Sequence, residues 1–82
     1  ELGLYDLALD NLDMALILGG FEDYIYAERG RTYELRGDWN CAIADYQRAL
    51  NILQHSGAAG HLRRKVQTWM NQLLEPLRAE AS

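Results

Sequence analysis

The chain repeats itself with a period of 34 residues, and no other feature constrains its fold as strongly. When the sequence is shifted by 34 positions, the first segment matches the middle segment with no insertion. The matches keep one physical pattern of small and large apolar residues. They are Gly3 with Gly37, Ala8 with Ala42, Ala15 with Ala49, Leu16 with Leu50, Tyr5 with Trp39, Leu9 with Ile43 and Leu12 with Tyr46.

The apolar residues of the middle copy follow the period of an α-helix. They recur in steps of one, three and four, which places them on one helical face. Two alanines seven residues apart, Ala42 and Ala49, predict that a neighbouring helix approaches closely, with Tyr46 and Trp39 filling the space beside it. The residues of this face are Ala42, Ile43, Tyr46, Ala49 and Leu50.

The residues before this face predict a second helix and a tight turn. Gly37 suits a left-handed helix stop, and Asp38 is a plausible N-cap for the next helix. Gly30 lies mid-helix, which costs about 1 kcal/mol relative to alanine. That cost makes sense if a side chain of another helix packs against bare backbone there. We therefore expect an antiparallel hairpin of helices over 23–36 and 38–54.

The middle copy resembles the tetratricopeptide repeat (TPR) family. The resemblance covers residues 1 to about 54, and its departures are Arg29, where the family usually has leucine, and Gln54, where it usually has proline. Arg29 suggests that this edge of the helix is more exposed to solvent than is usual in the family. The residues that carry the resemblance are Tyr26, Gly30, Tyr33, Gly37, Asp38, Trp39, Ala42, Ile43, Tyr46, Ala49 and Leu50.

The resemblance implies an all-α fold of antiparallel helical hairpins stacked as an α-α solenoid. Residues 1–20 read as the second helix of an incomplete repeat, with Gly19 and Gly20 at its end, and 23–54 as a complete repeat. The face of Tyr5, Leu9 and Leu12 then expects a partner that the sequence does not supply. The start at Glu1 rather than Met indicates an excerpt from a longer protein.

The last third departs from the 34-residue register but keeps helical periodicity. Its apolar face predicts a C-terminal capping helix over 58–75, starting near Ala58 after a cap signal at Ser56 and Gly57, with a tail to 82. Pro76 predicts a stop or kink near Leu74 and Glu75. The apolar residues of this face are Leu62, Val66, Trp69, Met70, Leu73 and Leu77.

Charge and cysteine content narrow the function classes. The formal net charge is -4, which argues against nucleic-acid binding by the whole module. The single cysteine, Cys41, excludes an internal disulfide and a cysteine-based metal site, so a cytoplasmic or other reducing intracellular compartment is expected. No apolar run approaches the roughly 20 residues that span a bilayer, so no membrane role is expected.

No arrangement of residues points to catalysis, and we expect neither an enzyme nor a cofactor. His55, His61 and Asp45 lack the spacing of a metal site, and solvated loop residues are the preferred interpretation of the two histidines. Cys41 reads as a small apolar filler rather than a reactive thiol. The acidic stripe of Asp6, Asp10 and Asp13 reads as a solvated outer face, one that also attracts a basic partner.

A basic cluster marks the start of the last helix. His61, Arg63, Arg64 and Lys65 lie near an expected helix N-terminus, where cations oppose the helix dipole and do not stabilise that end. Two interpretations stay open for this cluster, a solvated face and a partner-binding site. For Trp69 and Tyr24 the alternatives are core packing and a ligand-facing role.

The resemblance implies a concave groove that receives a peptide or helix of another protein. Its positions here are Tyr24, Ala27, Arg31, Glu34 and Leu35, faced by His61, Lys65 and Thr68. The family's carboxylate clamp falls on Ala27 and Glu28, with Arg31 alone basic, so no such clamp is expected. Two alternatives remain. One is self-assembly, as a homodimer, through the face of Tyr5, Leu9 and Leu12; the other is a regulatory appendage of an enzyme.

Overall fold

The structure is a computed structural model that describes the backbone of residues 2–56 and 60–81 and the side chains of 3–56 and 60–76. Four helices run through the described residues: α1 Leu2–Leu18, α2 Glu22–Arg36, α3 Trp39–Ser56 and α4 Gly60–Ala81. The prediction of an all-α fold is confirmed. The expected start of the last helix at Ala58 lies outside the described residues, as does the side chain of Leu77.

The helices pack mainly against their neighbours in the chain. The largest contact joins α2 to α3, and α4 packs against α3 while also touching α2. The α1 helix packs against α2. In consequence, α2 and α4 are neighbours that both pack against α3.

The core centres on a contact between α2 and α3. A Cβ atom at Gly30 would lie 2.7 Å from Cδ1 of the Tyr46 ring, so the bare glycine backbone is what admits the ring. This confirms the packing role predicted for the mid-helix glycine. The fully buried residues that surround this contact are Ala27, Ala42, Tyr46, Ala49 and Val66.

The turn between α2 and α3 ends one helix and starts the next within two residues. Gly37 is left-handed (φ 94°), and the amide of Gly37 donates to the carbonyl of Glu34 while that of Asp38 donates to Tyr33. These two bonds form a Schellman motif, which satisfies carbonyls that the helix end leaves free. The Asp38 carbonyl accepts the first bond of α3, from Ala42, while its carboxylate accepts from Arg36.

Two side chains expected to pack inside instead lie at the surface. Trp39 is 61% exposed, so it does not fill the space beside the alanines, where Tyr46 is buried. Cys41, expected as an apolar filler, is also exposed. Both residues lie in the first turn of α3, and the described side chains of the other helices leave both exposed.

Of the stop or kink predicted near Leu74 and Glu75, the stop does not occur. The α4 helix runs from Gly60 to Ala81 with Pro76 inside it. Proline removes the bond that its amide would donate to the Gln72 carbonyl. Because Gln72 and Pro76 are both exposed, water can serve that carbonyl and the helix continues.

Candidate binding site

The predicted groove residues fall into two groups. Tyr24, His61 and Lys65 are exposed, and Arg31 and Glu34 are partly buried. Ala27, predicted to contact a partner, is instead 1% exposed because it belongs to the core around Tyr46. The prediction for Ala27 is therefore wrong, while the other positions remain accessible.

Trp69 is the residue that joins the two walls of this surface. Two cations lie over its ring, the Arg31 guanidinium of α2 at 5.2 Å and the Lys65 ammonium of α4 at 4.9 Å from the ring centroid. Its inner side lies beside Tyr46, with ring centroids 6.1 Å apart. Such cation–π contacts contribute roughly 0.5 to 2 kcal/mol each. Trp69 is thus half in the core and half in the surface, which combines the two alternatives left by the sequence.

Glu34 is held in place by hydrogen bonds from both sides. Its Oε1 accepts from the Tyr46 hydroxyl at 2.6 Å and from Nη1 of Arg31 at 3.3 Å. Burial of the Tyr46 ring, reinforced by the bond to Glu34, raises the pKa of the Tyr46 phenol. Glu34 is therefore a fixed part of the wall and leaves Arg31 partly neutralised.

Whether a described arginine or lysine forms an ion pair with a carboxylate depends on the helix that carries it. In the described residues every arginine of α2 and α3 forms an ion pair with a carboxylate. Among the described residues, no carboxylate lies within ion-pair distance of the basic residues at the start of α4. The paired set is Arg29, Arg31, Arg36 and Arg48, and the unpaired set is Arg63, Arg64 and Lys65.

Two clefts flank Trp69 and Glu34. The first, of about 280 Å³, combines two of the unpaired cations of α4 with the Trp69 ring and is lined by His61, Arg64, Lys65, Thr68 and Trp69. The second, of about 470 Å³, is lined by the apolar residues Trp39, Ile43, Leu73 and Pro76 and by the polar residues Glu34, Asn40 and Gln72. Sequence reasoning missed the second cleft because it placed Trp39 in the core.

Arg29, expected at a solvent-exposed edge of the helix, forms a partly buried link between three helices. Its Nε and Nη2 atoms bind both carboxylate oxygens of Asp45, at 2.7 and 3.0 Å, and its Nη1 binds Asp13 of α1 at 2.8 Å. Asp45 is 1% exposed and also accepts from Arg48. The bonds to Asp45 raise the pKa of the Arg29 guanidinium.

The acidic stripe of α1 is exposed, as predicted, but it also pairs with α2. Asp13 binds Arg29 and Asp6 binds Nη1 of Arg36 at 2.6 Å, so two of its three carboxylates tie α1 to α2. Asp10 is exposed. The sequence does place acidic residues on the first helix and arginines on the second. Because the partners lie 16 and 30 positions apart, the sequence alone does not show which of them pair.

The described residues contain no group of three or more His, Cys, Asp or Glu side chains placed to hold a metal ion. Asp45 is bound by two arginines. Nδ1 of His55 lies 2.8 Å from the Asn51 carbonyl of its own helix. His61 is exposed at the start of α4. These three residues therefore do not form a common site.

The predicted self-association face is covered within the chain. Leu9 is buried, and Tyr5 and Leu12 are partly buried, because this side of α1 faces α2. The opposite side carries the exposed apolar residues. They are Leu4, Leu7, Met14 and Leu18, with Ile17 and Phe21 beside them.

In the described part of the chain no helix is long and apolar enough to cross a membrane. Comparison with protein-family models, with curated proteins and with solved structures returns no match for this chain.

Proposed function

We propose that this chain is a non-catalytic scaffold that binds an extended peptide or a helix of another protein in the trough between α2 and α4. We further propose that its helices form a TPR-type solenoid with α4 as the capping helix. The 34-residue repeat supports this arrangement, as does the close approach of Gly30 to Tyr46. The contact of α2 with α4 beside α3 gives the trough its two walls.

The observation that carries the proposal is the position of Trp69. An aromatic ring held by Arg31 on one wall and Lys65 on the other offers an apolar anchor flanked by charge. In peptide recognition apolar anchors supply affinity, and flanking charges set register and partner choice. The unpaired Arg64 and the adjacent cleft extend this surface along α4.

The test is selection of peptides from a displayed random library on the immobilised 82-residue chain. We expect selected peptides to lose binding when Trp69→Ala or Lys65→Glu is introduced, since both changes alter the trough. Arg63→Glu is the matched control, because Arg63 is an unpaired cation of the same helix that does not line the cleft around Trp69. Circular dichroism checks that each variant keeps its helices.

Two results would contradict the proposal. One is a library that yields no peptide above background. The other is a set of peptides whose binding falls equally with Arg63→Glu and Lys65→Glu, which would indicate general attraction to the basic helix rather than recognition in the trough. A resonance map of the bound peptide on α2 and α4 would support the trough directly.

No specific observation favours the alternative that the chain is a regulatory appendage of an enzyme. The exposed thiol of Cys41 supports placing the scaffold in a reducing intracellular compartment, where such thiols stay reduced. One observation favours the alternative of self-assembly, namely that one side of α1 exposes apolar residues.

A further inference from the structure

The α1 helix carries an exposed apolar stripe on the side that faces away from α2. Leu4, Leu7, Met14 and Leu18 are 64%, 58%, 56% and 79% exposed. At about 100° per residue, Leu4 and Leu18 point roughly opposite to the buried Leu9. A side of α1 that makes no contact with α2 is therefore as apolar as the side that does.

The spacing of this stripe is that of a helix-pairing seam. Residues 4, 7, 11, 14 and 18 recur in alternating steps of three and four, and Asn11 is the one polar member. This period of 3.5 residues keeps a seam facing a partner helix, and a single polar residue within it selects register. The flanking Ala8 and Ala15 are small enough to let that helix approach closely.

We propose that this stripe, Leu4, Leu7, Asn11, Met14 and Leu18, is the interface of a twofold homodimer in which α1 packs against α1 of a second copy. The proposal goes beyond the trough, which lies on other helices. Asn11 is the midpoint of the stripe, so full overlap of two copies brings the two Asn11 side chains together whichever way the helices run. Each amide then offers the other both a donor and an acceptor.

The charges of α1 permit this pairing. The carboxylates of Asp6 and Asp13 are turned toward α2, where they bind Arg36 at 2.6 Å and Arg29 at 2.8 Å. Asp10 also lies outside the seam. Two copies therefore meet through apolar side chains and one amide each, with Asp10 at the edge of the seam and not within it.

The area available is enough for a reversible dimer. The stripe with its flanking residues exposes on the order of 500 Å² of apolar surface per copy, or about 1,000 Å² in a pair. That is near the lower bound for a specific interface, the size range of weak and reversible complexes.

The repeat shows what the pairing would complete. Ala42, Tyr46 and Ala49 of α3 are fully buried between α2 and α4, whereas the matching Ala8, Leu12 and Ala15 of α1 are only partly buried. A second copy on the stripe covers Ala8 and Ala15, which border it. The side of α1 that faces away from α2 would then also be packed.

The test is sedimentation equilibrium of the 82-residue chain from about 1 μM to about 500 μM, a range that covers weak and reversible association. We expect the mass to rise from one copy toward two. Leu7→Glu and Met14→Glu should each hold the chain at one copy with unchanged helicity. Leu35→Glu, at an equally exposed leucine of α2, should dimerise like the parent chain.

A crosslink tests the register and does not depend on destabilising the fold. In a Cys41→Ser background, Asn11→Cys should form a disulfide-linked dimer under mild oxidation faster than Leu35→Cys does. A mass that stays at one copy across the whole range overturns the proposal. So does a dimer that Leu7→Glu leaves intact, or an Asn11→Cys crosslink no faster than the control.

Discussion

Gly30→Ala is the substitution for which the structure reverses the usual expectation. Replacing a helical glycine by alanine normally stabilises by about 1 kcal/mol. At Gly30 the added Cβ would lie 2.7 and 2.8 Å from Cδ1 and Cε1 of Tyr46 and 3.3 Å from the Ala42 carbonyl oxygen. The ring cannot withdraw easily, because Tyr46 is fully buried and its hydroxyl is bonded to Glu34.

The magnitude follows from two opposing effects. Forcing an extra carbon into a packed core costs about 3 kcal/mol at the upper end, against the gain of about 1 kcal/mol in helix propensity. We therefore expect Gly30→Ala to lower the free energy of unfolding by about 2 kcal/mol. In a domain of this size that lowers the melting temperature by about 8 to 16 °C.

The assay is urea unfolding followed by circular dichroism at a concentration where the chain is a monomer. Gly3→Ala is the matched control, since Gly3 is helical and a Cβ there meets no atom within 4 Å. It should leave stability unchanged or raise it by up to about 1 kcal/mol. A Gly30→Ala chain as stable as the parent or the Gly3→Ala chain would refute the packing argument.

A double-mutant cycle tests the named contact. Leucine stands at Leu12, the position that matches Tyr46 in the first copy, so Tyr46→Leu is a substitution that the repeat itself contains. In that background the cost of Gly30→Ala should shrink by at least about 1 kcal/mol, because the ring atoms that clash are gone. If Gly30→Ala costs as much in the Tyr46→Leu background as in the parent chain, the strain does not arise from the contact with the Tyr46 ring.

Three further predictions follow from single contacts. Asp45→Ala should cost about 3 kcal/mol in urea unfolding, because it leaves the Arg29 guanidinium without its buried partner, and adding Arg29→Leu should recover part of that loss. Phe21→Gly should raise the free energy of unfolding by about 1 kcal/mol in the same assay, since Phe21 is left-handed (φ 55°) and exposed. Because burial raises the pKa of Tyr46, its contribution is intact below the ordinary value of about 10 and should be lost as pH rises above it. Urea midpoints at about pH 9 and about pH 11 should therefore differ less in Tyr46→Phe than in the parent chain.

The sequence determined the local features because each rests on residues close together in the chain. The steps of three and four predicted helices, and Gly37 predicted the left-handed stop that ends α2. Gly30 lowers the stability of α2 relative to alanine, and this predicted that a side chain of another helix packs on the bare backbone there. Pro76 misled the same reasoning, because an exposed helix can lose one bond and continue.

The tertiary structure decided how residues distant in sequence pair. Arg29 and Asp45 looked like unrelated charges 16 positions apart, and only the packing of α2 on α3 made them a buried pair. The same packing moved Ala27 from the proposed groove into the core and left Trp39 outside it. Periodicity identifies which residues share a helix face, but several faces of these helices are apolar. Which of them becomes buried depends on the neighbouring helix, and that choice is made only when the chain packs.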